Sequence, residues 1–112
     1  MTQTKMLNFA IQTAKGAGAI LMEHFGNISS YEQKSTPIDL LTIADTQSEA
    51  FILNEIKTTF PDHHIIAEES AAVENNSDYR WVIDPLDGTT NFVHSLPIFA
   101  VSIGLQYKGE TI

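Results

Sequence analysis

The chain has 112 residues, 43% of them hydrophobic, enough to bury a core and too apolar for disorder over most of its length. Its 14 acids against 6 bases give a formal net charge of -8, which argues against a nucleic-acid backbone or an anionic membrane as partner and makes a cationic partner the natural complement. The absence of cysteine excludes a disulfide framework and a cysteine-type zinc site. Lys5, Gln12, Lys15 and Glu23 interrupt the apolar N-terminal residues, so neither signal peptide nor membrane span is expected and the cytoplasm is the default location.

Apolar or small residues at Leu7, Ala10, Ile11, Ala14, Ala17, Gly18 and Leu21 recur at three- and four-residue steps and predict a helix from about Thr4 to Phe25, stopped by Gly26-Asn27. Residues from Ser29 to Asp39 read as extended or loop, because Pro37 disfavours a helical backbone at Thr36. A second helix is predicted near Thr42 to Phe60. Ala44, Ser48, Phe51, Ile52, Ile56 and Phe60 approximate one face, and Pro61-Asp62 ends it. Strands follow at Ile65 to Ala67 and Arg80 to Ile83, separated by a polar loop over Glu74 to Asp78. A last strand carries Ala100, Val101, Ile103 and Leu105, and Lys108-Gly109 reads as a hairpin turn into Glu110-Thr111-Ile112. No repeat, low-complexity tract or linker suggests a second domain.

The chemistry concentrates in the stretch from Trp81 to Phe92, where an apolar strand runs into Asp84, Pro85, Leu86, Asp87, Gly88, Thr89, Thr90 and Asn91. Asp84 precedes a proline and is biased toward extended backbone. Gly88 allows a sharp turn that brings backbone N–H groups toward a ligand. Asp45 follows Leu40-Leu41-Thr42-Ile43-Ala44, and Glu68-Glu69 follows Ile65-Ile66-Ala67, so each acidic site succeeds an apolar stretch. Magnesium takes hard oxygen ligands and keeps several waters, so Glu68, Asp84 and Asp87 with a substrate phosphate would suffice. Acids gathered this way repel: two like charges about 4 Å apart cost roughly 4 kcal/mol at an effective dielectric of about 20.

Taken together, the Asp-Leu-x-Thr-x-Ala-Asp, Glu-Glu-Ser and Trp-Val-Ile-Asp-Pro-Leu-Asp-Gly-Thr-Thr-Asn-Phe stretches resemble the inositol monophosphatase family of magnesium-dependent, lithium-sensitive phosphatases. The resemblance implies a layered α/β sandwich, of which this chain supplies two helices and the first strands of a mostly antiparallel sheet. It implies two or three magnesium ions. Glu68, Asp84 and the Leu86 carbonyl would hold the first, while Asp84 bridges to a second that Asp87 also ligates. It further implies that Asp45 and Thr89, with Glu68, prepare the attacking water. Glu68, Leu86, Asp87, Gly88 and Thr89 would surround the phosphate of a small polyol phosphate such as myo-inositol monophosphate. Complete family members are expected to be homodimers. The matched motifs cover only the N-terminal portion of such a protein, so residues 1–112 read as a truncated domain. A non-catalytic metal-, phosphate- or partner-binding remnant stands as the alternative, and a nucleotide or sugar bisphosphate as the alternative substrate.

Rival readings fit less well. No Walker loop is present, and Asp84 and Asp87 lie three apart, not two as in an EF-hand or a haloacid-dehalogenase-type pair. Trp81 reads as a core anchor, His24 as a helix-end cation, and His63, His64 and His94 as loop or surface residues.

Overall fold

The computed structural model describes residues 2–25, 37–67, 77–93 and 98–112. Two helices precede a four-stranded mixed sheet, the α/β arrangement expected from the sequence. Helix α1 spans Gln3–His24 and helix α2 Pro37–Thr59. Strands β1 (His64–Ala67) and β2 (Tyr79–Asp87) follow, then a short helix α3 (Thr89–Val93) and strands β3 (Ala100–Tyr107) and β4 (Glu110–Thr111). The sheet order is β1-β2-β3-β4, with the first pair parallel and the other two antiparallel.

Thr2 caps α1, its Oγ1 accepting from the Lys5 N–H at 3.2 Å. The buried face of the helix is Met6, Thr13, Ala17 and Leu21. That corrects part of the face inferred from periodicity, since Leu7 is 60% and Ile11 41% exposed. Two apolar stripes lie side by side on α1, and spacing alone does not tell which one meets the core. The helix ends within a residue of the expected position. Phe25 turns to an extended backbone (φ -66°, ψ 131°) while its N–H still bonds the Leu21 carbonyl. Its ring docks against Phe92 and Phe99; the predicted stop, Gly26-Asn27, lies outside the described residues.

Helix α2 begins five residues earlier than predicted, with Pro37 as its first residue. Proline is well suited there, because the first turn needs no N–H from it and its fixed φ is already helical. Gly16 of α1 permits close approach to α2: a Cβ at that position would sit 2.4 Å from Phe51 Cζ. Beneath the helices, Ala17, Ile52, Ile56, Ile65, Trp81 and Ile83 belong to one core, with Trp81 fully buried. This apolar burial is the main favourable term holding helices to sheet.

Strand β2 is longer than the predicted Arg80–Ile83 and continues through Pro85 to Asp87. The hairpin between β3 and β4 is a two-residue turn with positive φ at Lys108 (52°) and Gly109 (85°), the twist that a tight antiparallel connection requires. Lys108 N–H also bonds the Asp78 carbonyl at 2.8 Å, tying the hairpin to the start of β2. Among the described residues, no helix is long and apolar enough to cross a membrane.

Candidate active site

A regular strand alternates its faces, so Asp84 and Asp87, three residues apart, would point to opposite sides of the sheet. Their cross-strand partners show otherwise. Asp84 pairs with Ser102 and Asp87 with Ala100, two residues apart on β3, so β2 carries one extra residue between the acids. This is a β-bulge, and it returns Asp87 to the face of Asp84. That face is opposite the core, since Trp81 and Ile83 pair with Leu105 and Ile103 and pack beneath the helices. The bulge also explains Pro85, which a regular inner strand does not tolerate. Two residues of β3 span roughly 7 Å. Two aspartates so spaced can reach a common cation bound about 2.1 Å from each oxygen.

Helix α2 is fastened at the same place. Ser48 is fully buried, and its hydroxyl donates to the Pro85 carbonyl at 2.9 Å. One turn earlier, Ala44 packs in a second core cluster with Leu21, Leu86 and Phe92. Half-buried Asp45 lies between Ala44 and Ser48 in the sequence of this helix, the two residues that fasten it to Pro85 and to the cluster around Leu86. Asp84 is also half-buried, and its Oδ1 accepts from the Leu86 N–H at 3.2 Å, which fixes the side chain against the bulged backbone.

Gly88 follows with φ +94°. A Cβ there would lie 2.9 Å from the Ile98 carbonyl oxygen and 3.1 Å from Phe99 Cα, so both conformation and space demand glycine. The turn delivers the chain into α3, whose Phe92 N–H bonds the Gly88 carbonyl at 3.0 Å. Asn91 Nδ2 donates to the Ile98 carbonyl at 2.8 Å and joins α3 to the residues before β3. Asp87, Gly88, Asn91, Ile98, Phe99 and Ala100 line an open depression of about 540 Å³. Its mouth exposes the Asp87 carboxylate, and Thr89 is exposed beside it.

Asp84, Asp87, Leu86, Gly88 and Thr89 are thus contiguous around one bulge and turn, with Asp45 on the adjoining helix. Glu68, Glu69 and His94 lie outside the described residues. Among the described residues no group of three or more His, Asp or Glu side chains is assembled to hold a metal. The hard-oxygen character of Asp84 and Asp87 on one face nonetheless suits magnesium. Ser48 was legible in sequence only as a core-face position, and its bond to Pro85 had no sequence signal.

His24 is near the end of α1 as expected, its Nε2 2.9 Å from Gln47 Oε1. His63 lies in a loop, as expected, but is half-buried within an aromatic cluster, because Phe60, Tyr79 and Trp81 surround it. Burial lowers its pKa below the ordinary value, against the opposing pull of the Asp62 charge.

The sequence model of the inositol monophosphatase family matches residues 2–112. A Nus factor SuhB of Pasteurella multocida is 48% identical over 109 residues, covering 95% of this chain and 40% of that protein. An inositol-1-monophosphatase of Mesorhizobium japonicum is 39% identical over 114 residues, covering 100% of this chain and 43% of the relative. Among solved structures, the extragenic suppressor protein suhB of Bartonella henselae superposes with a TM-score of 0.83 at 35% identity, over 96% of this chain and 41% of that one. The chain therefore spans well under half the length of these relatives.

Proposed function

As the chain belongs to the inositol monophosphatase family, we propose that it is the carboxylate-bearing part of a magnesium-dependent phosphomonoesterase acting on myo-inositol monophosphate or a similar small polyol phosphate. The observation that carries this reading is the bulge that places Asp84 and Asp87 on one face beside the Gly88 turn. Glu68, Asp84, Asp87 and the Leu86 carbonyl would hold magnesium. Strand β1 supports the inclusion of Glu68: its last residue, Ala67, pairs with Ile83, one residue before Asp84, and Glu68 is next in sequence. When bound, two or three such ions supply Lewis acidity at the phosphoryl oxygens and lower the pKa of water.

The chain's own residues position and move the proton. Asp45, presented by a helix fixed through Ser48 to Pro85, is the proton acceptor beside the bulge, with Thr89 orienting the water between them. The backbone of Gly88 and Thr89 meets the phosphate through its N–H groups. Helix α3 has only five residues, so those hydrogen bonds contribute more than its small summed dipole. A phosphorylated polyol is the partner this reading requires, with neither nucleic acid nor membrane.

Phosphate release from inositol 1-phosphate with magnesium, compared between the chain and Asp84→Asn, tests the proposal. Magnesium-dependent turnover lost on substitution is expected; turnover that survives it overturns the assignment. The name Nus factor carried by the relative at 48% identity favours a second, non-catalytic reading. Magnesium binding without turnover on inositol 1-phosphate or fructose 1,6-bisphosphate would select that alternative.

A further inference from the structure

His63 joins α2 to β1 and lies apart from the carboxylate face. Its imidazole is stacked on Phe60 (centroids 4.6 Å, planes 7° apart) and on Tyr79 (4.8 Å, 19°). The Trp81 indole Nε1–H donates to its Nδ1 at 2.9 Å. An indole nitrogen can only donate, so this bond requires Nδ1 to be the acceptor, with the ring proton of the neutral imidazole on Nε2. Trp81 is fully buried and meets Phe9 of α1 edge-on at 5.5 Å. One hydrogen bond thus connects the segment ahead of β1 to the tryptophan at the centre of the core.

We propose that His63 is a pH-responsive fastener: neutral, it accepts the Trp81 indole proton and closes the aromatic stack, and protonated, it turns an N–H toward an N–H and releases the segment from β2. The ring contacts around the imidazole are aromatic. Helix α2 contributes Phe60, α1 reaches the stack through Phe9, and β2 brings Tyr79 and Trp81. Of these side chains only Tyr79, a phenol, carries an ionisable group. The Asp62 carboxylate is the charge acting on the ring, and burial outweighs it to hold the pKa down. The unfolded chain therefore takes up the proton first as pH falls. Stability from this group is complete above the unfolded pKa of about 6.5 and is lost as pH drops from there through the lower folded value. Each unit between the two pKa values corresponds to a tenfold fall in the folded-to-unfolded ratio.

Trp81 is the sole tryptophan, so the 112-residue chain gives a single indole N–H signal in a nitrogen-15 NMR spectrum. The expected result is a downfield, hydrogen-bonded indole proton at pH 8 that moves upfield in one transition below about pH 6.5, the ordinary imidazole value. His63→Gln, which keeps an acceptor without titrating, should hold the signal constant; His63→Phe, which keeps the stack without an acceptor, should leave it upfield throughout. Nitrogen shifts of the His63 ring in the parent chain add a test that needs no variant, since they report the tautomer. The proposal is overturned by a pH-independent parent signal, by the same transition in His63→Gln, by an exposed-type indole signal at pH 8, or by an Nδ1-protonated neutral ring.

Discussion

Substituting Gly88 by alanine tests the turn on which the candidate site is built. The native φ of +94° forces an L-residue into a region that costs about 1–3 kcal/mol. The new methyl would also stand 2.9 Å from the Ile98 carbonyl oxygen and 3.1 Å from Phe99 Cα, both backbone atoms that cannot rotate aside. The Ile98 carbonyl is further held by Asn91 Nδ2 at 2.8 Å. Overpacking of this kind adds about 1–3 kcal/mol, so the combined loss is about 2–6 kcal/mol. At about 4 °C per kcal/mol for a chain of this size, the melting temperature should fall by roughly 8–24 °C. Gly18→Ala is the matched control, because nothing lies within 4 Å of a Cβ there and the position is inside α1. It should gain about 0.5–1 kcal/mol, a rise of roughly 2–4 °C. Circular dichroism melts of the three proteins decide the matter. Gly88→Ala melting within about 2 °C of the parent would refute the turn geometry.

Ser48→Ala should cost about 1–3 kcal/mol in urea unfolding, because it strips the buried Pro85 carbonyl of its donor. Gly16→Ala should destabilise by about 1–3 kcal/mol as the methyl displaces the Phe51 ring. Adding Phe51→Leu should restore part of that loss, read as a coupling of about 1 kcal/mol in a double-mutant cycle. Because burial depresses the His63 pKa, the parent should lose stability more steeply than His63→Gln as pH falls below about 6.5, measured by melts at descending pH.

The order of elements was legible because apolar spacing changes from helical in α1 and α2 to strand-like after Phe60. The burial of Trp81 and the Lys108-Gly109 turn were legible for equally local reasons, size in one case and turn chemistry in the other. What stayed hidden depends on partners distant in sequence. Leu7 and Ile11 share the helical period with Met6 and Ala17, and only docking on α2 and β3 selects between the stripes. Thr13, a polar residue outside the apolar pattern, is buried. The acidic residues of the site stand out as a motif, but their common orientation rests on the register against β3, where one extra residue reverses the expectation from alternation. The Ser48 bond spans 37 residues and carries no local signature. His63 is the loop residue the sequence suggested, but its burial stayed hidden because its three aromatic neighbours come from the end of α2 and from a strand sixteen or more residues onward.

The central claim is that folding brings Asp84 and Asp87 to one face where they bind a divalent cation. The most direct measurement is the melting temperature in magnesium chloride against sodium chloride of equal ionic strength, for the parent and for Asp84→Asn. The account predicts a magnesium-specific rise in the parent that disappears in the variant. Equal shifts in the two salts, or a rise that persists in Asp84→Asn, would contradict it.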